Sequence, residues 1–240
     1  VIHVALYTVE HRTLNQLLDT LKQDSYLAPP KDITLWLEIS PKKQQKGGFK
    51  LCSFGVASQP LFNLENSHQT NQICAKQTYY EKTGTVEQLG GDPIQVTQNI
   101  PHDGQTQAQH LTMEVKCLVW VRVLMNLVYQ FIDKEIESRG APPFKIPQFH
   151  FVDAALAVEH SGRQRVFLLE EVIRGPHSLE GPFKKYMNNV SAEPLQQSDV
   201  DDEEHGLFLA FSQHVQYFKT KKMVFVSDYQ VVSCMLYISF

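Results

Sequence analysis

The stretch QICAKQTYY (72–80) puts a lysine in the middle of a run with strand composition. Its branched, aromatic and small apolar residues suit pleated backbone, and alternation places Cys74, Lys76 and Thr78 on one face. Two features set Lys76 apart from an ordinary surface lysine. Its flanks are apolar, and Gly47-Gly48 opens the preceding run, FKLCSFGVA (49–57). A glycine turn lets backbone N–H groups approach an anion closely, and a lysine on the adjacent strand reaches the same anion. The plainer alternative is a solvated lysine beside a hairpin turn.

Upstream, residues 1–30 carry a helical pattern (Leu14, Leu17, Leu18, Leu21) that ends at Pro29-Pro30. ITLWLEI (33–39) has strand composition, and Lys42 to Lys46 reads as a basic linker. Downstream, residues 81–106 are rich in Gly, Asn, Gln and Thr and read as a long loop. A helix is expected from about Gln107 to Ser138, stopped by Gly140 and Pro142-Pro143. Its most apolar part, Cys117 to Ile132, is interrupted by Arg122, Asn126 and Gln130, four apart and so on one stripe. A membrane span needs about 20 nearly uninterrupted apolar residues, so this helix is expected inside protein and no membrane partner is expected.

FHFVDAALAVEH (149–160) and RVFLLEEVI (165–173) read as a hairpin about Ser161-Gly162. GLFLAFSQHVQYF (206–218) has helical spacing, with Leu207, Ala210, Phe211, His214 and Phe218 sharing an apolar face. The acidic run Asp201 to Glu204 reads as a solvated loop tip, and KMVFVSDY (222–229) as a last strand. Strands, a long helix, then strands and helices predict an α+β fold with two lobes. The expected organisation is an N-terminal extension over 1–46 and a domain over 47–240. Its N-lobe spans about 47–165 and its C-lobe about 174–240.

The chain has 240 residues, enough for one large domain or two lobes sharing a cleft. A net charge of −4 argues against a nucleic-acid partner. The four cysteines (Cys52, Cys74, Cys117, Cys234) have no CxxC spacing. That argues against a disulfide framework and against a zinc knuckle, and for a reducing, cytoplasmic setting. The chain begins at Val1 and shows no signal peptide, which reads as a fragment of an intracellular protein.

Asp228 and Gln230 project to one face of an extended segment that follows apolar Val224 and Val226. A carboxylate there is ionised at neutral pH. It can orient a hydroxyl or, with the amide oxygen, hold Mg²⁺; the alternative is an aspartate that opens a turn. Glu170 and Glu171 end an apolar strand and are either surface acids or part of a site at a lobe junction. A single helical histidine, His214, has no second ligand nearby in sequence. No Walker A lysine motif, GxGxxG, HExxH, HRD or DFG occurs. Asn189-Val190-Ser191 fits a glycosylation sequon and is read as chance.

Taken together, four segments resemble the alpha-kinase family of atypical Ser/Thr protein kinases: GGFKLCSFG (47–55), ICAKQ (73–77), FLLEEVIRG…GPFKKYMNN (167–189) and AFSQHVQYFKTKKMVFVSDYQ (210–230). The resemblance implies a two-lobed kinase-like fold and ATP- and Mg-dependent phosphoryl transfer to a protein hydroxyl. A glycine-rich cover and a strand lysine are the protein-kinase way of holding phosphates. It implies that Gly47, Gly48 and Lys50 form the glycine loop and that Lys76 binds the phosphates. Glu170 and the Ile173 backbone would hold adenine. Asp228 would be the catalytic acid/base and a Mg ligand, and Gln230 a Mg ligand. His214 falls at a structural zinc position, and Glu114 on the long helix is expected to pair with Lys76.

The chain departs from the family after Gln230. The family's glycine is Val231 here, and VVSCMLYISF (231–240) stands where a glycine-rich loop, a T-D-P stretch and the remaining zinc ligands are expected. The C-terminal part therefore reads as incomplete and His214 as orphaned. A nucleotide-binding pseudokinase or regulatory module is the alternative to an active kinase.

Overall fold

A computed structural model describes residues 1–19, 26–28, 35–62, 71–86, 94–160, 162–172, 184–188, 190–227, 229–232 and 235–238. The chain divides into two compact units. The first comprises Val1–Val9, Leu27–Val115 and Asp153–Val172; the second comprises Glu10–Tyr26, Lys116–Val152 and Ile173–Phe240.

The first unit holds strands β1 (Ile2–Thr8), β2 (Leu35–Lys46), β3 (Lys50–Ala57), β4 (Gln72–Val86), β5 (Ile94–Pro101), β7 (Ala154–Glu159) and β8 (Val166–Glu171). They pair in the order β3-β2-β1-β7-β8-β4-β5, and β3 also pairs with β4. Six strands therefore close into an antiparallel ring, which leaves no open edge among them. Side chains alternate across its wall. Val4, Leu35, Leu37, Ile73, Ala75, Ala157, Phe167 and Leu169 belong to one buried apolar cluster. Residues of opposite parity on β3, β4 and β8 point away from that cluster. Gly162, at φ +83°, makes the β7–β8 turn where the sequence places it.

Two readings of this unit change. Residues 1–46, expected as an extension, supply β1 and β2 to the ring. The first strand replaces part of the expected helix; only α1 (Leu14–Asp19), in the second unit, keeps that pattern. The stretch 81–106, expected as a loop, instead continues β4 and forms β5, in register from Tyr79↔Pro101 to Val86↔Ile94. This ribbon is exposed on both faces, so no apolar alternation marked it. A third difference is chemical: Cys52 and Cys74 are joined by a disulfide across β3 and β4, where no bridge was expected.

Helix α2 (Gly104–Arg139) contributes residues up to Val115 to the first unit and the rest to the second. Its first turn is capped by Asp103, whose carboxylate accepts from Thr106 N (3.0 Å) and Thr106 Oγ1 (2.8 Å). By length and composition α2 could cross a bilayer. Val121, Leu124, Met125 and Val128 nevertheless lie in the core of the second unit, while Asn126 and Gln130 are exposed.

The second unit adds β6 (His150–Phe151), β9 (Lys184–Lys185), α3 (Val200–Lys219), β10 (Tyr229–Val232) and β11 (Met235–Ile238). A small sheet runs β6-β11-β10-β9. Of the expected strand over 222–229, residues 222–227 are not in a strand; β10 covers Tyr229–Val232 and pairs antiparallel with β11. Helix α3 starts at Val200, so the acidic run is its first turn rather than a loop tip. Asp199 is the N-cap, and three acids suit the positive end of the helix. Asp202 contacts Lys184 and the Tyr186 hydroxyl.

The buried side of α3 is also not the expected one. Gly206, Leu209, Ser212, Gln213, Val215 and Gln216 face the core. Leu207 (56% exposed), Phe218 (77% exposed) and His214 lie outside it. Leu207 and Phe211 instead line an apolar groove of about 730 Å³ with Phe131, Ile136 and Phe144.

Candidate functional site

The outward face of β3, β4 and β8 carries a patch of side chains set by register. Lys50 lies opposite Thr78, Cys52 opposite Lys76 and Phe54 opposite Cys74. On the other side of β4, Cys74 lies opposite Glu170 and Lys76 opposite Leu168. Diagonal neighbours on one face are within reach of long side chains. Lys76 Nζ donates to Glu170 Oε2 at 2.5 Å, and both side chains are under 10% exposed.

The start of α2 lies over the same face. Gln107, wholly buried, clamps Thr78. Its Oε1 accepts from Thr78 N (2.9 Å) and Oγ1 (3.1 Å), and its Nε2 donates to Thr78 O (2.7 Å). Seven residues on, and so on the same side of the helix, Glu114 receives the ammonium of Lys50. The clamp fixes the rotation of α2, and that rotation brings Glu114 to Lys50. Burial is the main influence on the Glu114 carboxyl and pushes its pKa up. Lys50 opposes that shift, and the nearby Glu170 adds to it. Four ionisable groups thus share one buried patch, with Lys50 against Glu114 and Lys76 against Glu170.

The pairing differs in part from the expectation. Glu114, expected to pair with Lys76, receives the ammonium of Lys50, the first residue of β3, while Lys76 lies close enough to help lower the Glu114 pKa. Glu170, expected at adenine, accepts from Lys76. Gly47 and Gly48 form the β2–β3 turn, where Gly47 N donates to Lys50 O (2.8 Å) and Tyr79 Oη donates to Gly47 O (3.0 Å). That amide serves the hairpin. Ile173 and Asp228 lie outside the described residues.

In the second unit, the segment flanking position 228 is held by α3. Gln213 Nε2 donates to Val226 O (2.7 Å), and Val226 N donates to Gln216 Oε1 (2.8 Å). Gln216 Nε2 also bonds the hydroxyl of fully buried Tyr229 (3.1 Å), whose burial raises its pKa far above the usual range. Gln230 lies in β10, in register with Lys185 and Tyr237. The sequence reading missed Gln107, Gln213 and Gln216. A buried glutamine in an otherwise apolar helix face is the one signal that marks them.

His214 is exposed on α3, and among the described residues no group of three His, Cys, Asp or Glu side chains gathers to hold a metal ion.

The sequence matches the alpha-kinase family over residues 45–237. The chain belongs to the alpha-kinase family, and its α+β architecture is that of this class of protein kinases. Among solved structures it is similar to an aspartate-to-alanine mutant of the myosin heavy chain kinase A catalytic domain. The identity is 10% and the TM-score 0.49, over 98% of this chain and 80% of that one. It is also similar to the apoenzyme alpha-kinase domain of myosin-II heavy chain kinase A. There the identity is 13% and the TM-score 0.45, over 84% of this chain and 72% of that one. No curated protein matches the sequence.

Proposed function

We propose that this chain binds ATP at the Lys50/Lys76 patch and transfers its γ-phosphoryl group to a serine or threonine of a protein substrate. One observation carries the proposal: two buried lysines on one face, each held by a buried carboxylate. A lysine already desolvated and oriented needs little rearrangement when it meets a phosphate, and its charge acts more strongly there than in water. Phosphoryl transfer asks mainly for such positioning and charge stabilisation.

In this reading Lys76 contacts the phosphates and Glu170 orients it. Lys50 adds a second cation, oriented by Glu114. Asp228 takes the proton of the acceptor hydroxyl while that oxygen bonds to phosphorus and the bond to the ADP oxygen breaks. The oxygen donors of Asp228 and Gln230 suit Mg²⁺, which neutralises phosphate charge when bound. Ile173, just past β8, is assigned to adenine through its backbone. Gln213 and Gln216 position the segment that carries Asp228.

The test has two arms. Lys76→Met should weaken ATP binding at least about tenfold, the effect of one charge-assisted contact; unchanged affinity would remove the site. Transfer of label from γ-labelled ATP to a basic protein mixture should be lost in Asp228→Asn. ATP binding by the unaltered chain with no transfer under any Mg²⁺ concentration would instead assign it to the pseudokinases. Val231, in β10 where the family has glycine, favours that second reading.

A further inference from the structure

The disulfide lies inside the proposed ATP patch. Cys52 stands opposite Lys76 and Cys74 opposite Glu170, so the bridge runs as a diagonal parallel to the Lys76–Glu170 ion pair and one strand away from it. On β3, Cys52 also sits two residues from Lys50, hence on the same face. Its sulfur therefore has Lys50 along the strand and Lys76 across it. The carboxylates of Glu114 and Glu170 lie beyond them as their partners. Cys52 is partly exposed and Cys74 is 7% exposed, so a small thiol meets Cys52 first.

We propose that Cys52 and Cys74 form a reversible thiol–disulfide pair that sets the affinity of the patch for ATP. This rests on the reading of Lys76 as a phosphate ligand. Reduction proceeds by two exchanges with a low-molecular-weight thiol, RSH. The thiolate RS⁻ attacks Cys52 Sγ and the Cys52–Cys74 bond breaks. Cys74 leaves as a thiolate and takes a proton, and Cys52 is left in a mixed disulfide. A second RS⁻ attacks the R sulfur of that mixed disulfide, releasing RSSR and the Cys52 thiolate. The bridge gains two electrons and two RSH become RSSR; one of their protons goes to Cys74, and the other goes to solvent while Cys52 is a thiolate or to Cys52 when it is a thiol. Neighbouring ammonium groups favour the thiolate form of a cysteine.

The two states differ in charge and in stiffness. The oxidised bridge is neutral and ties β3 to β4, the strands that carry the two lysines. The reduced form places an ionisable sulfur between those lysines, where a thiolate competes with phosphate for them. Oxidation therefore favours ATP binding.

The experiment uses the full chain equilibrated with reduced or oxidised dithiothreitol, with Cys117→Ser and Cys234→Ser to leave one thiol pair. Peptide mapping by mass spectrometry should find the Cys52–Cys74 link only in the oxidised sample. Titration with a fluorescent ATP analogue should give a dissociation constant roughly tenfold lower for the oxidised sample, the scale of one nearby charge. Cys52→Ala should abolish the difference. A confirmed link with equal affinities in both samples would overturn the inference while leaving the ATP site standing. Absence of the link after oxidation would overturn it as well. If Lys76→Met leaves affinity unchanged in both samples, the ATP site fails and the inference fails with it.

Discussion

The Lys50–Glu114 pair allows a quantitative test of how the patch is built. Both side chains are about nine-tenths buried: 9% and 10% exposed. Removing one member of such a pair leaves the other charge without its counter-ion in a poorly solvated place, which typically costs about 3–5 kcal/mol. Replacing both by apolar residues of similar volume is typically neutral or stabilising. Lys50→Met and Glu114→Leu should therefore each lower stability by about 3–5 kcal/mol, while the double variant stays within roughly 1–2 kcal/mol of the parent. The coupling energy is then at least about 4 kcal/mol, well above the few tenths expected for independent sites. Urea unfolding can be followed by Trp36 fluorescence in a Trp120→Phe background. Trp36 sits in β2, so the signal reports the first unit, whereas position 120 belongs to the second. A double variant that loses the sum of the two single losses would refute the idea that burial makes the charges interdependent.

Three further outcomes follow from the same geometry. Because burial raises the Glu114 pKa, the folded state binds that proton more tightly than the unfolded chain. This contribution to stability is full below the ordinary glutamate range and is lost as pH rises through the folded value. The stability difference between the parent and Glu114→Gln should therefore shift against the parent as pH rises through that window, and urea midpoints at several pH values would show it; a flat difference would contradict the raised pKa. Gln107→Leu should cost about 1–3 kcal/mol, since the buried Thr78 amide and hydroxyl lose the Gln107 acceptor while the carbonyl keeps His102 N. Amide exchange at Thr78 should accelerate in the same variant. Leu209→Ala should cost about 2–5 kcal/mol because Leu209 is fully buried, whereas the exposed Leu207→Ala should stay within about 0.5 kcal/mol; equal losses in thermal unfolding would mean α3 is rotated.

The sequence shows α2 and the strand β8 almost at their observed bounds, but the expected strand over 149–160 divides into β6 and β7, which belong to different sheets. It does not show β5, whose residues are polar on both faces. It also misplaces the buried side of α3. That side joins Leu209 and Val215 to Gly206, Ser212, Gln213 and Gln216, small or amide residues that hydropathy does not mark. Their burial is possible because the amides find partners at Val226 and Tyr229.

The candidate site divides in the same way. Alternation within 72–80 alone put Lys76 on a face with Cys74 and Thr78, and the order of four segments pointed to the alpha-kinase family. Period tells which residues share a face; it carries no information about what lies opposite. That Glu170 meets Lys76, that Glu114 meets Lys50, and that Cys52 and Cys74 meet at all were decided by strand register and by the rotation of α2. Those depend on contacts between residues from 22 to 94 positions apart in the chain, and only the folded molecule brings them together.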